Sequence, residues 1–140
     1  MINVDQNLTE TDDVTETIQK FFEAGKTKDF SMLRKIQLND SVFSSFSDVP
    51  PYDLKDFATT IALEELRFAS ISDYDYEIKN TKVSIFDNTA VLACELMQKG
   101  MLVDNKAFTG EHIVINSRAT FVLVKKSDWK ILHYHFSKIK

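Results

Sequence analysis

The sequence is poor in the residues that build phosphate-binding loops, disulfides and metal clusters. Its 140 residues include three glycines, two prolines and one cysteine. Neither glycine-rich phosphate-binding motif, GxGxxG or GxxxxGK[ST], is present. The single cysteine, Cys94, excludes an intrachain disulfide and a cysteine-rich metal site. Because Cys94 lies in the apolar run 90–96, we expect it to be a small buried hydrophobic side chain.

Clustered positive charge and long apolar runs are also missing. The net charge is −4 and the 17 Lys and Arg residues are scattered, whereas nucleic-acid binding needs clustered positive charge. No apolar run approaches the roughly 20 residues that cross a membrane. The first residues are polar and acidic, unlike a signal peptide. We therefore expect a cytoplasmic protein that binds neither nucleic acid nor membrane and that holds no cofactor or metal.

Phenylalanine is the residue in excess. The chain has 11 Phe and only one Trp. Since Phe brings a large apolar area and no polar group, this excess predicts an apolar core, a pocket or a subunit interface. A chain of this length forms one domain and buries about 68–70% of the surface that its unfolded form exposes. It can therefore build a core without metal or disulfide.

The first half of the chain has the residue spacing of helices. A flexible tail is predicted over 1–11 and a single domain over 12–140. The first helix is expected to end at Gly25, and residues 41–47 read as a short strand. Helix starts are marked by candidate capping residues, which are Asp12 or Asp13, Asp29 and Asp53. Apolar residues at helical spacing predict the buried faces: Val14, Ile18, Phe21 and Phe22; then Phe30, Leu33 and Ile36; then Leu54, Phe57, Ile61 and Leu66.

The second half of the chain has the pattern of long strands joined by tight turns. The predicted strands are 74–86, 89–102, 108–125 and 129–137, with a bulge near Asn116-Ser117. Consecutive strands of this kind form an antiparallel meander. Helices followed by a sheet predict an α+β fold with the helices on one face of the sheet.

The pairing of the last two strands decides what lies beside two histidines. Strict alternation would place Trp129, Ile131, His133 and His135 on one side of the sheet, and Leu132, Tyr134 and Phe136 on the other. A two-residue loop at Ser127-Asp128 would pair Lys126 with Trp129, Val124 with Ile131, Val122 with His133, Thr120 with His135 and Arg118 with Ser137. A three-residue loop would instead put Phe121 opposite His133. Both sides are largely apolar, so we expect a second subunit to cover the side that faces away from the helices.

The end of the chain resembles a known family. The stretch Arg118-Ala119-Thr120-Phe121-Val122-Leu123, a short charged turn, and Trp129-Lys130-Ile131-Leu132-His133-Tyr134-His135-Phe136-Ser137 together are similar to the C-terminal signature of SnoaL-like domains. These domains belong to the nuclear-transport-factor-2-like (NTF2-like, cystatin-like cone) superfamily. The association domain of calcium/calmodulin-dependent protein kinase II is also similar. The resemblance covers about residues 12–138, although relatives often have Asp-Gly where this chain has Ser127-Asp128.

The resemblance implies a fold and a range of functions. It implies three N-terminal helices packed on a curved antiparallel sheet, with a cone-shaped cavity between them. It also implies dimers or larger assemblies, often through the outer face of the sheet. Some relatives are isomerases, cyclases, dehydratases or hydrolases, and many others have no known activity, so the fold alone does not choose among these functions.

His133, His135 and Glu95 are the candidate catalytic residues. Histidine changes protonation near neutral pH, but the pair has no visible carboxylate partner, which favours buried polar residues that join strands or subunits. Glu95 interrupts the apolar strand 91–97. It would be a general base in the cavity, an internal partner of Arg118 or His133, or a residue turned to solvent by a bulge. A metal site would need a third ligand, such as His112 or Glu111, and none is expected.

Five residues are candidates for ligand binding: Arg118, Thr120, Tyr52, Trp129 and Phe21. The guanidinium of Arg118 can hold a carboxylate or phosphate, or form an ion pair. Tyr52 lies where the resemblance places the cavity rim. Two functions remain open. One is a non-catalytic homodimer whose cavity binds a small apolar or amphipathic molecule. The other is a small acid/base enzyme that acts on an apolar substrate in the cavity.

Overall fold

Three helices and a short edge strand precede four long strands. The computed structural model describes residues 4–104, 106–107 and 109–139. The elements are α1 (Val4–Thr27), α2 (Phe30–Lys35), β1 (Ser44–Phe46), α3 (Phe57–Ser70), β2 (Ile71–Phe86), β3 (Thr89–Asp104), β4 (Thr109–Lys125) and β5 (Trp129–Lys138). They form one five-stranded sheet in the order β1-β5-β4-β3-β2. The predicted α+β architecture is confirmed. The sheet is mixed, however, because β1 pairs parallel with β5 while β2 to β5 are antiparallel.

Helix α1 is longer than the sequence predicted. It begins at Val4, so a start at Asp12 or Asp13 is wrong. Of the predicted tail, residues 1–3 lie outside the described residues. The added turns contain no Gly or Pro to end them, and Glu10 binds Lys125 of β4 at 2.9 Å. The predicted core face of α1 is confirmed, since its four apolar residues are at most 1% exposed: Val14, Ile18, Phe21 and Phe22.

Gly25 does not end α1, which continues to Thr27. The residue that follows the helix, Lys28, takes the left-handed conformation that often ends a helix, with φ of 60°. Gly25 is instead required by packing, because a Cβ atom there would lie 2.4 Å from a ring carbon of Phe68. The ammonium of Lys28 donates to the backbone carbonyls of Phe68 and Ile71, which fixes the end of α3 against the end of α1.

The caps of the two shorter helices differ in how well they were predicted. Asp29 caps α2 as expected and accepts from the backbone N–H of Met32 at 3.2 Å. The cap of α3 is Asp56, not Asp53, because the chain remains non-helical through Lys55, which folds back to pair with Ser45. The predicted core face of α3 is partly wrong, since two of its residues are exposed: Leu54 (58%) and Leu66 (64%).

The hairpin of β4 and β5 contains a bulge that neither predicted register included. Trp129 pairs with Lys125, as a three-residue loop requires. A shift at Leu132 then restores the predicted pairs Val122–His133, Thr120–His135 and Arg118–Ser137. The bulge places Trp129, Ile131, Tyr134 and Phe136 on the buried inner face, so the predicted grouping of Trp129 and Ile131 with the histidines is wrong. The bulge expected near Asn116-Ser117 is also wrong, because β3 and β4 pair without a shift.

The core lies between the helices and the inner face of the sheet. Aromatic rings dominate it: Phe21 and Phe22 of α1 contact Phe121, Tyr134 and Phe136 edge-on, tilted or stacked. Cys94 is buried on the same face, as predicted. Burial raises the pKa of its thiol to about 11, so Cys94 stays a neutral thiol at physiological pH.

Candidate functional site

A cavity of about 300 Å³ opens between α3, the loop after β1 and the inner face of the sheet. Most of its wall is apolar, and these side chains are Phe21, Val49, Pro50, Pro51, Leu63, Leu66, Phe68, Ile71, Leu102, Ile113, Ile115 and Phe136. Its polar side chains are Ser45, Ser47, Lys55, Thr60, Glu64, Arg67, Ser70, Gln98 and Tyr134. Three of these, Thr60, Glu64 and Arg67, follow at intervals of four and three on α3, so they share one helix face.

Glu64 is the central polar group of the cavity. It is only 7% exposed. Its Oε1 accepts a hydrogen bond from Nε2 of Gln37 at 2.6 Å, and its Oε2 accepts one from the hydroxyl of Tyr134 at 2.5 Å. Burial raises the pKa of Glu64 to about 7, although the two hydrogen bonds act against this shift. Glu64 is therefore a carboxyl group that exchanges its proton near neutral pH.

Tyr134 and a pair of hydroxyls extend this polar cluster. Burial and the adjacent Glu64 raise the pKa of Tyr134 well above its ordinary value, so its hydroxyl stays protonated. The hydroxyls of Ser45 and Thr60 lie 2.7 Å apart. Gln37 is anchored by a further bond from its Nε2 to the backbone carbonyl of Leu33 at 3.0 Å. The cluster thus combines a titratable carboxyl with fixed hydroxyl donors.

Two cations line the cavity. The ammonium of Lys55 is buried and donates to the backbone carbonyls of Pro51 at 2.5 Å and Asp53 at 2.8 Å. The guanidinium of Arg67 lies 3.5 Å from the carboxylate of Asp48. These contacts place positive charge in a wall that is otherwise mostly apolar.

Sequence reasoning missed Glu64, although a signal for it was available. The predicted face of α3 ran through Leu54 and Leu66. The spacing of Phe57, Ile61 and Phe68 passes through position 64 as well, and it puts the carboxyl on the buried stripe of the helix. A charged residue on such a stripe marks a functional or paired group. The aromatic and hydroxyl partners from β5 and β1 could not be found this way.

The predicted catalytic residues lie on the other side of the sheet. The hydroxyl of Ser44 and ring Nδ1 of His133 share a hydrogen bond of 2.8 Å. The rings of both His133 and His135 contact Phe46. Burial lowers the pKa of His133, and the neighbouring His135 lowers it further, against a hydrogen bond with Ser44. Glu95 is exposed and accepts from Asn80 at 2.8 Å. None of the three residues lines the cavity, and their catalytic roles remain predictions.

The predicted ligand-binding residues are spread over three places. Phe21 lines the cavity. Arg118 and Thr120 are exposed on the outer face of β4, where Arg118 stands opposite Glu95 and Thr120 opposite His135 in the strand register. Their roles in ligand binding remain predictions. Tyr52 is 64% exposed in the loop after β1. Trp129 is buried at the opposite end of β5, where Lys125 lies 6.0 Å from its ring.

The geometry gives no support to a metal site at the histidine pair. His112 lies on β4 eight positions from Thr120, or roughly 26 Å at the rise of a β-strand. Among the described residues, no group of three or more His, Cys, Asp or Glu side chains is placed to hold a metal ion. Nor is any helix in the described part of the chain long and apolar enough to span a membrane. The expected cytoplasmic location remains a prediction.

Comparison with known proteins supports the resemblance seen at the end of the chain. The sequence profile of the SnoaL-like domain family matches residues 14–139. No curated protein sequence matches this chain.

Solved structures share the fold at low sequence identity. A proposed dehydratase of the NTF2-like family from Streptomyces avermitilis has a TM-score of 0.79 at 20% identity, over 94% of this chain and 98% of that one. A proposed scytalone dehydratase from Novosphingobium aromaticivorans has a TM-score of 0.82 at 9% identity, over 99% of this chain and 89% of that one. The association domain of C. elegans CaMKII has a TM-score of 0.73 at 20% identity, over 95% and 98%.

Proposed function

Because this chain belongs to the SnoaL-like domain family, we propose that it binds a small, largely apolar molecule in the cavity between α3 and the sheet. The observation that carries this proposal is the cavity itself. It has about 300 Å³, a mainly apolar wall, and a few convergent polar groups around Glu64. That combination is typical of small-molecule sites. Since a cavity of about 150 Å³ accommodates benzene, this one has room for a molecule of about two rings.

Native mass spectrometry of the gently purified protein tests this proposal. We expect a retained small molecule, visible as extra mass that is lost on denaturation. The variant Ile113→Trp fills the cavity from β4 and should lose that mass. The control variant Val42→Trp adds the same side chain at a position that is 63% exposed and outside the cavity, and it should keep the mass. Equal retention by both variants would contradict binding in this cavity.

A second candidate function is acid/base catalysis in the same cavity. It is favoured by one observation, the raised pKa of Glu64, which burial brings to about 7 beside the hydroxyl of Tyr134. A general acid or base works best when its pKa lies near the working pH. Above pH 7 the Glu64 carboxylate would accept a proton from a bound substrate. The Tyr134 hydroxyl would meanwhile keep its hydrogen bond to the Glu64 carboxylate. Two of the fold neighbours are proposed dehydratases, which is consistent with such chemistry.

Turnover assays separate catalysis from binding. Small aromatic β-hydroxy ketones serve as probes, because loss of water from them produces a conjugated enone that absorbs in the near ultraviolet. Catalysis predicts that Glu64→Gln lowers kcat at least 100-fold and leaves probe affinity nearly unchanged. Glu65→Gln, one residue along α3 and paired with Arg34, should behave as wild type. Loss of activity in both variants, or in neither, would contradict a role for Glu64.

We also propose a homodimer that forms through the outer face of the sheet. This face carries half-buried apolar side chains on three neighbouring strands, which are Val91 and Met97 of β3, Val122 of β4 and Leu132 of β5. Neighbouring apolar side chains on a sheet surface are a candidate contact for a second subunit. Val122→Asp should dissociate the dimer in light-scattering measurements. Val42→Asp, at a position that is 63% exposed and outside the cavity, should not, and a monomeric wild-type protein would overturn the proposal.

A further inference from the structure

We propose that the ligand of the cavity carries one anionic oxygen group, of the carboxylate class, which binds between the guanidinium of Arg67 and the side-chain amide of Gln98. The inference rests on the proposed ligand-binding function and identifies the polar end of the ligand. Both side chains line the cavity, Arg67 from α3 and Gln98 from β3.

Arg67 has donors to spare. A guanidinium carries five N–H groups and binds a carboxylate through two parallel hydrogen bonds. Within the described residues, the single acceptor bound to this guanidinium is the Asp48 carboxylate, at a long 3.5 Å from Nη1. The other oxygen of the Asp48 carboxylate accepts a hydrogen bond from the Ser117 hydroxyl at 2.8 Å. The Asp48 contact therefore orients Arg67 and leaves most of its N–H groups for a ligand.

Gln98 supplies a second, unpaired donor. The side chain is only 4% exposed. Its Oε1 accepts the hydroxyl of Tyr74 at 2.6 Å, which sets the orientation of the amide. Its buried Nε2 has no acceptor among the described residues. A buried N–H group without an acceptor is costly, so a ligand oxygen that reaches it recovers a hydrogen bond that the protein alone does not make.

Arg67 and Gln98 belong to the same end of the cavity. Arg67 contacts the carboxylate of Asp48, and that carboxylate accepts a hydrogen bond from Ser117 of β4. Gln98 pairs with the β4 residue two positions before Ser117, so its side chain lies on the same face of the sheet, next to Ser117. An oxygen group placed at this end therefore meets donors from both sides.

The charge on the cavity wall also favours an anion. Lys55 and Arg67 are the two cations that line it, and Glu64 is the one carboxyl among the lining residues. Burial raises the pKa of Glu64 to about 7, so this carboxyl is largely neutral below that pH. The Asp53 carboxylate near Lys55 is 79% exposed and well solvated. The buried Asp48 carboxylate offsets the charge of Arg67, so the positive charge of this region exceeds its negative charge while Glu64 is protonated.

Isothermal titration calorimetry with a matched pair of probes tests this inference. 2-Naphthoate carries the anionic group, and 2-naphthylmethanol replaces it by a neutral hydroxymethyl group on the same ring system. We expect wild-type protein to bind the carboxylate at least ten-fold more tightly than the alcohol. Arg67→Met should remove that preference. Arg34→Met, at an exposed arginine of α2 that is outside the cavity, should retain it.

The outcomes separate the inference from the function on which it rests. Equal affinity for the two probes in wild-type protein would overturn the anionic ligand and leave the binding function standing. Binding of neither probe would count against the binding function itself, and the inference would fall with it. Because Arg67→Met strips a buried Asp48 of its partner and can impair folding, Gln98→Met provides a second test. It should weaken 2-naphthoate binding at least three-fold and leave 2-naphthylmethanol unchanged, whereas an equal loss for both probes would overturn the role of the amide.

Discussion

Replacing Glu64 by Gln exchanges a buried carboxyl for a neutral amide of nearly the same shape. The amide can still accept from the hydroxyl of Tyr134, as Glu64 does. Nε2 of Gln37 now donates to Glu64, so the new amide can donate in its place once the Gln37 amide turns over and presents Oε1, which is buried and has no hydrogen-bond partner among the described residues. The substitution therefore removes the ionisation of position 64 and rearranges the hydrogen bonds of Gln37. Since that rearrangement does not depend on pH, the pH dependence isolates the effect of burying a titratable group.

The magnitude follows from the pKa of Glu64 in the folded and unfolded chain. Burial raises the pKa of the folded carboxyl to about 7 from the ordinary value of 4.5. Below 4.5 the group is protonated in both states and costs nothing. As the pH rises from 4.5 to 7, the unfolded chain releases its proton while the folded chain retains it, so wild-type protein loses stability. At about 1.4 kcal/mol per pH unit, the loss levels off near 3 kcal/mol above pH 7.

Urea unfolding followed by Trp129 fluorescence, repeated from pH 4.5 to 8.5, measures this effect. We expect the stability of Glu64→Gln relative to wild type to rise with pH by about 3 kcal/mol and to level off above pH 7. The difference between variant and wild type cancels the contributions of other titrating groups. One of these is His133, whose pKa is lowered by burial, so that the folded protein loses stability as the pH falls. Glu65→Gln, on the partly exposed side of the same helix, should show no such rise. A constant difference between Glu64→Gln and wild type across this range would refute the reasoning.

Four further substitutions test the fold by thermal or urea denaturation. Gly25→Ala should destabilise the protein by about 1–3 kcal/mol although alanine favours helices, because the new Cβ would lie 2.4 Å from the Phe68 ring; a gain in stability would contradict this contact. Asp56→Ala should cost about 1 kcal/mol through loss of the cap of α3, and Asp53→Ala less than about 0.5 kcal/mol; the reverse order would place the cap at Asp53. Phe121→Ala should cost about 3–5 kcal/mol because the ring is fully buried, and a cost below about 1 kcal/mol would contradict its place in the core.

Features that depend on neighbouring residues were predictable from the sequence. The apolar stripe of α1, the cap of α2 at Asp29 and the four long strands all follow from side-chain spacing and turn chemistry within a few residues. The motif of the last two strands was sufficient to identify the family. The pairs expected for a two-residue loop, Thr120–His135 and Arg118–Ser137, are present although the loop has three residues.

Features that depend on distant partners were not predictable. β1 is three residues long, and its parallel pairing with β5 joins segments separated by most of the chain. The bulge at Leu132 allows Trp129 and Ile131 to face the core while the histidines face outward, which no local pattern indicates. Strict alternation therefore grouped the wrong residues around the candidate site.

The sequence by itself determined the fold class, the family and the greater part of the core, because these follow from the periodic placement of apolar residues. Only the tertiary structure decided where the site lies. Glu64 becomes a titratable group near neutral pH because folding buries it, and this raises its pKa. Folding also brings the hydroxyl of Tyr134, 70 positions away, and the amide of Gln37, 27 positions away, onto its two oxygens, and these hydrogen bonds limit the rise. The physical reason is that a pKa is set by the surroundings that folding assembles, and those surroundings are not written next to the residue in the chain.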